Sequence, residues 1–197
     1  ITADEWMSNL QPLADHKSAI GIPTEIVGVS TIGNSAGAIK AAIQSAYTSD
    51  GIAFVLLVGD VAQIATPYNS GGAADPTYAK VSGTDAYPDI MIGRFSATTS
   101  AHVDTQVART IAFEVDAATT QPWFKKAIGI GSEEGRGDDG QYDYQHIDAI
   151  RTQLLGAGYT EVDQFYGYDA GPSDVVAALN EGRGLVNYCG HGSPQSF

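Results

Sequence analysis

Cysteine is almost absent from this sequence: Cys189 is the single cysteine among 197 residues. One cysteine cannot form a disulfide within the chain, so no internal disulfide framework holds the fold. Hydrophobic residues make up 43% of the chain, and this is enough to bury one substantial core, or two small ones, without such staples. The simplest domain count is one, covering residues 1–197.

Basic residues are also scarce, with 10 Lys and Arg against 23 Asp and Glu, for a formal net charge of −13. Such a charge repels nucleic acids and anionic lipids, whose phosphates need Lys and Arg to bind them. It favours divalent cations or basic substrates instead. We therefore expect no nucleic-acid partner.

Long apolar runs are missing as well. No stretch of about 18 apolar residues occurs, so no membrane span is predicted, and no signal peptide is recognisable. The chain begins at Ile1 rather than Met, which predicts a mature or excised piece. The acidic composition, poor in lysine and cysteine, is compatible with secretion.

Strand and helix patterns alternate along the chain. Apolar or β-branched runs predict strands near residues 24–30, 54–58, 90–92, 123–130, 162–165 and 185–188. Helical patterns cover residues 4–20, 98–114 and 142–155, and two more helices begin near Ser35 and Pro172. This order predicts an α/β fold of three layers, with a mainly parallel sheet and helices on both faces.

The final strand candidate ends in a histidine flanked by glycines, Gly190-His191-Gly192. Flanking glycines permit positive φ and leave the imidazole open to a ligand. A loop histidine without chemistry is about as compatible with this pattern as a catalytic one, whereas metal ligation is less so because no His or Cys stands at ligand spacing. Asp60 and Glu134 also follow strands, so we expect these side chains at the same edge of the sheet as His191.

Residues 61–89 form the longest irregular segment. Its aspartates, among them Asp85 and Asp89, have the oxygen ligands that calcium prefers, although no contiguous EF-hand pattern is present. Solvated turn carboxylates explain them equally well. Glycines at 28, 33 and 37 have the wrong spacing for a dinucleotide loop, so a nucleotide-binding α/β protein is the weakest hypothesis.

Several blocks of this sequence resemble the gingipain-type cysteine endopeptidases, peptidase family C25. These blocks are residues 54–60 (FVLLVGD), 92–96 (IGRFS), 145–146 (QH) and 185–193 (LVNYCGHGS), in that order along the chain. The resemblance covers nearly the whole chain. It implies a caspase-like fold, secretion or a cell-surface location, and cleavage of proteins or peptides after Arg or Lys.

The resemblance also implies roles for individual residues. His191 matches the histidine that works with the catalytic cysteine, and Glu134 matches the acid that orients it. Asp143 matches the acid of the pocket for the basic side chain before the scissile bond (P1). Asp85 and Asp89 match positions where the family binds calcium.

One feature of the family is missing. The nucleophilic cysteine of the family lies a few dozen residues beyond the histidine, whereas this chain ends six residues after His191. Cys189 stands where the family has a hydroxyl residue, and a packed or inert thiol is the favoured interpretation. We therefore expect the N-terminal larger part of a catalytic domain, inactive by itself and completed by a remainder that carries the nucleophile. The alternative is a non-catalytic caspase-like binding or surface module that has lost the nucleophile.

Overall fold

The computed structural model describes residues 1–69, 71–116, 121–167 and 169–192, with only the backbone of residue 116. Its internal contacts divide the chain into two compact units, residues 1–114 and 115–197. Each unit has its own parallel sheet. The prediction that the two units form a single domain stays a prediction.

The first unit begins with helices and adds a two-stranded parallel sheet. Its elements are α1 (Met7–Ala19, after a 3₁₀ turn at Asp4–Trp6), α2 (Val29–Ile32), α3 (Ala36–Asp50), β1 (Phe54–Val58), β2 (Tyr68–Asn69), β3 (Gly72–Ala73), a 3₁₀ turn at Asp75–Ala79, β4 (Met91–Phe95) and α4 (Ser100–Asp116). Strands β1 and β4 are parallel, and β2 and β3 form a small antiparallel hairpin.

Helices cover both faces of β1. Leu57 packs with Ile39 and Ile43 of α3 in one buried cluster, whereas the next residue, Val58, packs in a second cluster with residues of α1 and α4. Successive strand residues point to opposite faces of a sheet. The first unit therefore has a helix, sheet and helix layering, as predicted.

The strand predicted at residues 24–30 is wrong. This segment forms only an isolated bridge, from Gly28 to Thr2, and the short helix α2 begins at Val29. The Asp4 carboxylate accepts hydrogen bonds from the Ser30 backbone N–H and from the Ser30 hydroxyl, at 3.2 and 2.6 Å. An acceptor for the free N–H groups of a first helical turn favours helix over strand, and here it comes from 26 residues away.

The second unit is a three-stranded parallel sheet with its own helices. Its elements are a 3₁₀ turn at Pro122–Lys125, β5 (Lys126–Gly131), α5 (Asp143–Gly156), β6 (Glu161–Tyr166), α6 (Pro172–Glu181) and β7 (Leu185–Cys189). The strand order is β6-β5-β7, so β5 is central. Among the described residues, no helix is long and apolar enough to cross a membrane.

Two glycines bring α5 close to one face of this sheet. A Cβ on Gly129 would lie 2.4 Å from Ile147 Cγ2, and a Cβ on Gly131 would lie 2.5 Å from the Tyr144 Cα. Helix α5 therefore packs on β5 at a distance that a side chain at either position would prevent. This packing fixes where the first turn of α5 lies relative to the ends of β5 and β7.

Candidate active site

The ends of β5 and β7 lie side by side and bring Glu134 and His191 together. Gly131 of β5 pairs with Cys189 of β7, and the Ser132 N–H donates to the Cys189 carbonyl at 3.0 Å, just beyond the last pair. Glu134 follows β5 and His191 follows β7. The His191 Nε2 and Glu134 Oε2 atoms are 3.7 Å apart, so a protonated His191 forms an ion pair with Glu134.

Both side chains of this pair face solvent. The His191 side chain is 85% exposed and that of Glu134 is 65% exposed. An exposed pair at this distance has a coupling energy of at most about 1 kcal/mol, because water screens the two charges. The arrangement can orient an imidazole and support its charge, although weakly while both groups are in water.

Local hydrogen bonds fix the backbone on both sides of the pair. The Glu134 N–H donates to the Ser132 hydroxyl at 2.9 Å, and the Tyr188 hydroxyl donates to the His191 carbonyl. A Cβ on Gly190 would lie 2.7 Å from the Tyr188 hydroxyl oxygen. Gly190 does not have the positive φ that a glycine permits. A side chain at this position would instead require the Tyr188 ring to move.

Asp143, the first residue of α5, contacts the one cysteine of the chain. The Cys189 thiol donates to Asp143 Oδ1 at 3.4 Å. Burial raises the pKa of the Cys189 thiol, and the hydrogen bond to Asp143 and its negative charge raise the pKa further. Since the thiolate is the reactive form, this environment disfavours Cys189 as a nucleophile, and its hydrogen bond goes to Asp143 rather than to His191.

Three tyrosines surround the first turn of α5, and sequence reasoning missed them. The ring centroids of Tyr142 and Tyr144 are 5.6 Å apart, as are those of Tyr144 and Tyr166. The Arg136 guanidinium lies 4.9 Å from the centre of the Tyr142 ring. The two tyrosines next to Asp143 in the sequence were the available signal, because they place two aromatic side chains at the start of the helix.

A cavity of about 470 Å³ opens beside Glu134, and the sequence did not predict it. Its apolar wall combines residues of β5, β6, α6 and β7, among them Ile130, Phe165, Val176, Leu179 and Tyr188. Val176 and Leu179 remain 54% and 46% exposed. No local pattern indicates such a cavity, since its wall forms only when four separate elements pack.

The predicted calcium residues lie in the first unit and bond mainly to their own loop. Asp89 Oδ2 accepts from the backbone N–H groups of Val81 and Ser82 at 2.7 and 2.8 Å, and Asp85 Oδ1 accepts from the Tyr87 N–H at 2.8 Å. Within the described part of the chain, no group of three or more His, Cys, Asp or Glu could hold a metal ion. Within the described ranges, the other oxygen of each carboxylate accepts no backbone N–H. Calcium would therefore need backbone carbonyls or water to complete its shell.

The whole chain, residues 1–197, matches the family model described as "Peptidase family C25". The chain belongs to peptidase family C25. Among its relatives are gingipain R2 and gingipain R1 of Porphyromonas gingivalis, each 34% identical over the full length of this chain. The chain spans only 28% and 20%, respectively, of the length of these two relatives.

Solved structures agree with this assignment. The complex of Porphyromonas gingivalis RgpB pro- and mature domains matches with a TM-score of 0.92 and 33% identity, over 98% of this chain and 47% of that one. The crystal structure of the Arg specific cysteine proteinase gingipain R matches with a TM-score of 0.90 and 34% identity, over 97% and 46%. The predicted α/β, caspase-like fold of this C25 chain is thereby confirmed, and the chain corresponds to part of a gingipain catalytic domain.

Proposed function

We propose that this C25 chain is the part of a cysteine endopeptidase that provides the catalytic histidine and the P1-pocket acid. The observation that carries the proposal is the 3.7 Å approach of His191 Nε2 to Glu134 Oε2 at the ends of adjacent parallel strands. In an α/β sheet this edge is where ligands bind. The chemistry is amide hydrolysis through a thioester, with the thiolate contributed by a remainder of the catalytic domain.

In this mechanism His191 moves the protons. The thiolate attacks the scissile carbonyl, the C–N bond breaks, and the His191 imidazolium gives its proton to the leaving amine. Neutral His191 then takes a proton from the water that hydrolyses the thioester, which releases the acid product and the thiolate. Glu134 orients the imidazole and supports its positive charge.

Asp143 is the proposed selectivity residue. A carboxylate at the start of α5, held on one oxygen by the Cys189 thiol, can pair with a guanidinium or ammonium group. The net charge of −13 attracts basic substrates over a longer range. A preference for Arg or Lys before the scissile bond follows, and the Arg specificity of the related gingipain R supports Arg first.

The test uses the polypeptide together with the remainder of its catalytic domain and a quenched peptide with one Arg. His191→Ala should lower turnover by about 10²- to 10⁴-fold, the usual range for a general acid and base. Glu134→Gln should cost less, because the carboxylate acts only through the histidine. Turnover that persists at the normal rate in His191→Ala removes the proposal, and the alternative of a non-catalytic module then stands.

Asp143→Asn is the test of specificity. This change keeps the shape of the side chain and removes the charge, so kcat/KM for Arg peptides should fall while that for a neutral P1 residue should not. Asp139→Asn is the matched control, since Asp139 lies in the loop that precedes α5 and pairs with His146 at 3.2 Å. An unchanged cleavage profile in Asp143→Asn would place the specificity elsewhere.

Calcium is a separate proposal that rests on the resemblance. Asp85 and Asp89 would hold the ion through their remaining carboxylate oxygens, where it would stabilise the loop around residues 81–89. Chelation should then lower the melting temperature, and added calcium but not magnesium should restore it. Indifference to chelation would contradict the proposal. Secretion or a cell-surface location likewise stays a prediction.

A further inference from the structure

The cavity beside Glu134 lies on the opposite face of the sheet from Asp143. A Cβ on Gly131 would point at Tyr144 and the Cys189 thiol bonds to Asp143, so both positions face α5, while Gly131 borders the cavity only through its backbone. Ile130 and Tyr188 each precede one of these residues by one position and line the cavity. Because successive strand residues point to opposite faces, the acid and the cavity are on different sides of the same edge.

The His191 and Glu134 pair borders the cavity. Glu134 belongs to the wall of the cavity, and its carboxylate is 3.7 Å from His191 Nε2. Tyr188 also lines the cavity, and its hydroxyl donates a hydrogen bond to the His191 carbonyl. The imidazole that would protonate the leaving amine is therefore built onto the rim of an apolar cavity.

The shape of an extended peptide then selects the occupant. Successive side chains of an extended chain point in opposite directions. With the basic P1 side chain at Asp143 and the scissile nitrogen at His191, the next side chain, P1′, points to the other face. The cavity volume of about 470 Å³ lies within the range of ligand sites, so the cavity has room for a large side chain.

We propose that this cavity is the P1′ subsite and that it takes a large apolar side chain, such as Leu or Phe, directly after the scissile bond. Ile130, Phe165, Val176 and Leu179 would contact that side chain. This inference rests on the proposed function and deepens it, because it names the residue on the leaving side of the substrate. Substrate specificity would then depend on the residues on both sides of the cleaved bond.

The experiment measures kcat/KM of the complete catalytic domain for quenched peptides with Arg at P1 and Leu, Phe, Gly or Asp at P1′. Leu and Phe should exceed Gly by roughly 10- to 100-fold, the discrimination that an apolar pocket gives. Val176→Asp should reduce this ratio to about 3-fold or less. Val176 is 54% exposed, so the change does not place a charge in the core. Val176→Ser is the milder second variant if the aspartate impairs folding.

Val61→Asp is the matched control, because Val61 is 42% exposed and lies in the first unit, outside the cavity wall. It should keep the wild-type ratio. Equal cleavage of all four peptides would overturn the subsite and leave the proposed function intact. The subsite is also overturned if Val176→Asp lowers stability without changing the ratio, as it would if other parts of the polypeptide filled the cavity. Absence of cleavage after any basic residue would overturn both.

Discussion

The close approach of α5 to β5 gives the sharpest stability prediction, at Gly131. A Cβ at this position would lie 2.5 Å from Tyr144 Cα and 2.9 Å from both Tyr144 N and Tyr144 Cβ. Carbon atoms in ordinary contact are about 3.5–4.0 Å apart, so Gly131→Ala requires a displacement of about 1 Å. Rotation of a side chain cannot provide it, because two of the three atoms belong to the backbone.

The displacement should cost stability and activity together. Overpacking costs about 1–3 kcal/mol, and the upper end applies here because a helix has to move. The moved residues are the first turn of α5, which includes Asp143. A shift of about 1 Å at a substrate-positioning group can lower catalytic efficiency about 10²-fold. We therefore expect a loss of about 3 kcal/mol in unfolding free energy and a large loss in kcat/KM for Arg peptides.

Urea unfolding followed by circular dichroism measures the first effect. With a slope of about 2 kcal/mol per molar urea, a loss of 3 kcal/mol lowers the midpoint by about 1.5 M. Gly156→Ala is the matched control, since it changes the last residue of the same helix where a Cβ meets nothing within 4 Å. It should leave stability unchanged or raise it by about 0.5–1 kcal/mol. A Gly131→Ala protein as stable and active as the wild type would refute the packing argument.

Two further predictions follow from shifted pKa values. Burial and Asp143 raise the pKa of the Cys189 thiol, so iodoacetamide at pH 8 should alkylate this thiol more slowly than the thiol of a free peptide. The Asp143→Asn variant should be alkylated faster than the wild type. Mass spectrometry measures the reaction, and fast alkylation of the wild type would contradict the prediction. The hydrogen bonds from Arg94 hold the pKa of Asp75 below its ordinary value of 3.8. The ionised Asp75 carboxylate therefore stabilises the folded state above pH 3.8, and this stabilisation is lost as the pH falls through the lowered pKa. Asp75→Asn should therefore lower the urea midpoint at pH 5–7, with a difference from wild type that shrinks below about pH 4; a constant difference down to pH 2.5 would contradict it.

The sequence was sufficient wherever a signal is local. The continuous apolar run of β1 is a strand because such a segment buries best between helices. The run that ends at Cys189 is also a strand, β7, although Val186 and Tyr188 remain exposed. Ser35 caps α3 as its position suggested, accepting a hydrogen bond from the Ala38 N–H. The placement of Glu134 and His191 at the same edge of a sheet was also predicted from the order of elements, whereas the pairing of β5 with β7 was not.

Features that depend on contacts between distant residues were not predicted from the sequence. The segment 24–30 has a strand pattern, yet a carboxylate from the turn that precedes α1 converts its end to helix. The bond between Cys189 and Asp143 joins residues 46 positions apart and depends on how closely α5 packs. Neither contact can be predicted from a short segment of the sequence. The same holds for the cavity beside Glu134.

The exposure of the His191 and Glu134 pair decides how the proposed chemistry has to be completed. At 85% and 65% exposure the carboxylate supports an imidazolium by at most about 1 kcal/mol, or about 5-fold in rate. Burial of the same pair would strengthen the interaction several-fold, because the effective dielectric falls. A remainder of the catalytic domain that brings the thiolate to this edge would also exclude water from it. The size of the Glu134→Gln effect therefore reports on that covering: about 5-fold or less indicates a pair that works in water, whereas a loss near 10²-fold indicates that the edge is closed during turnover.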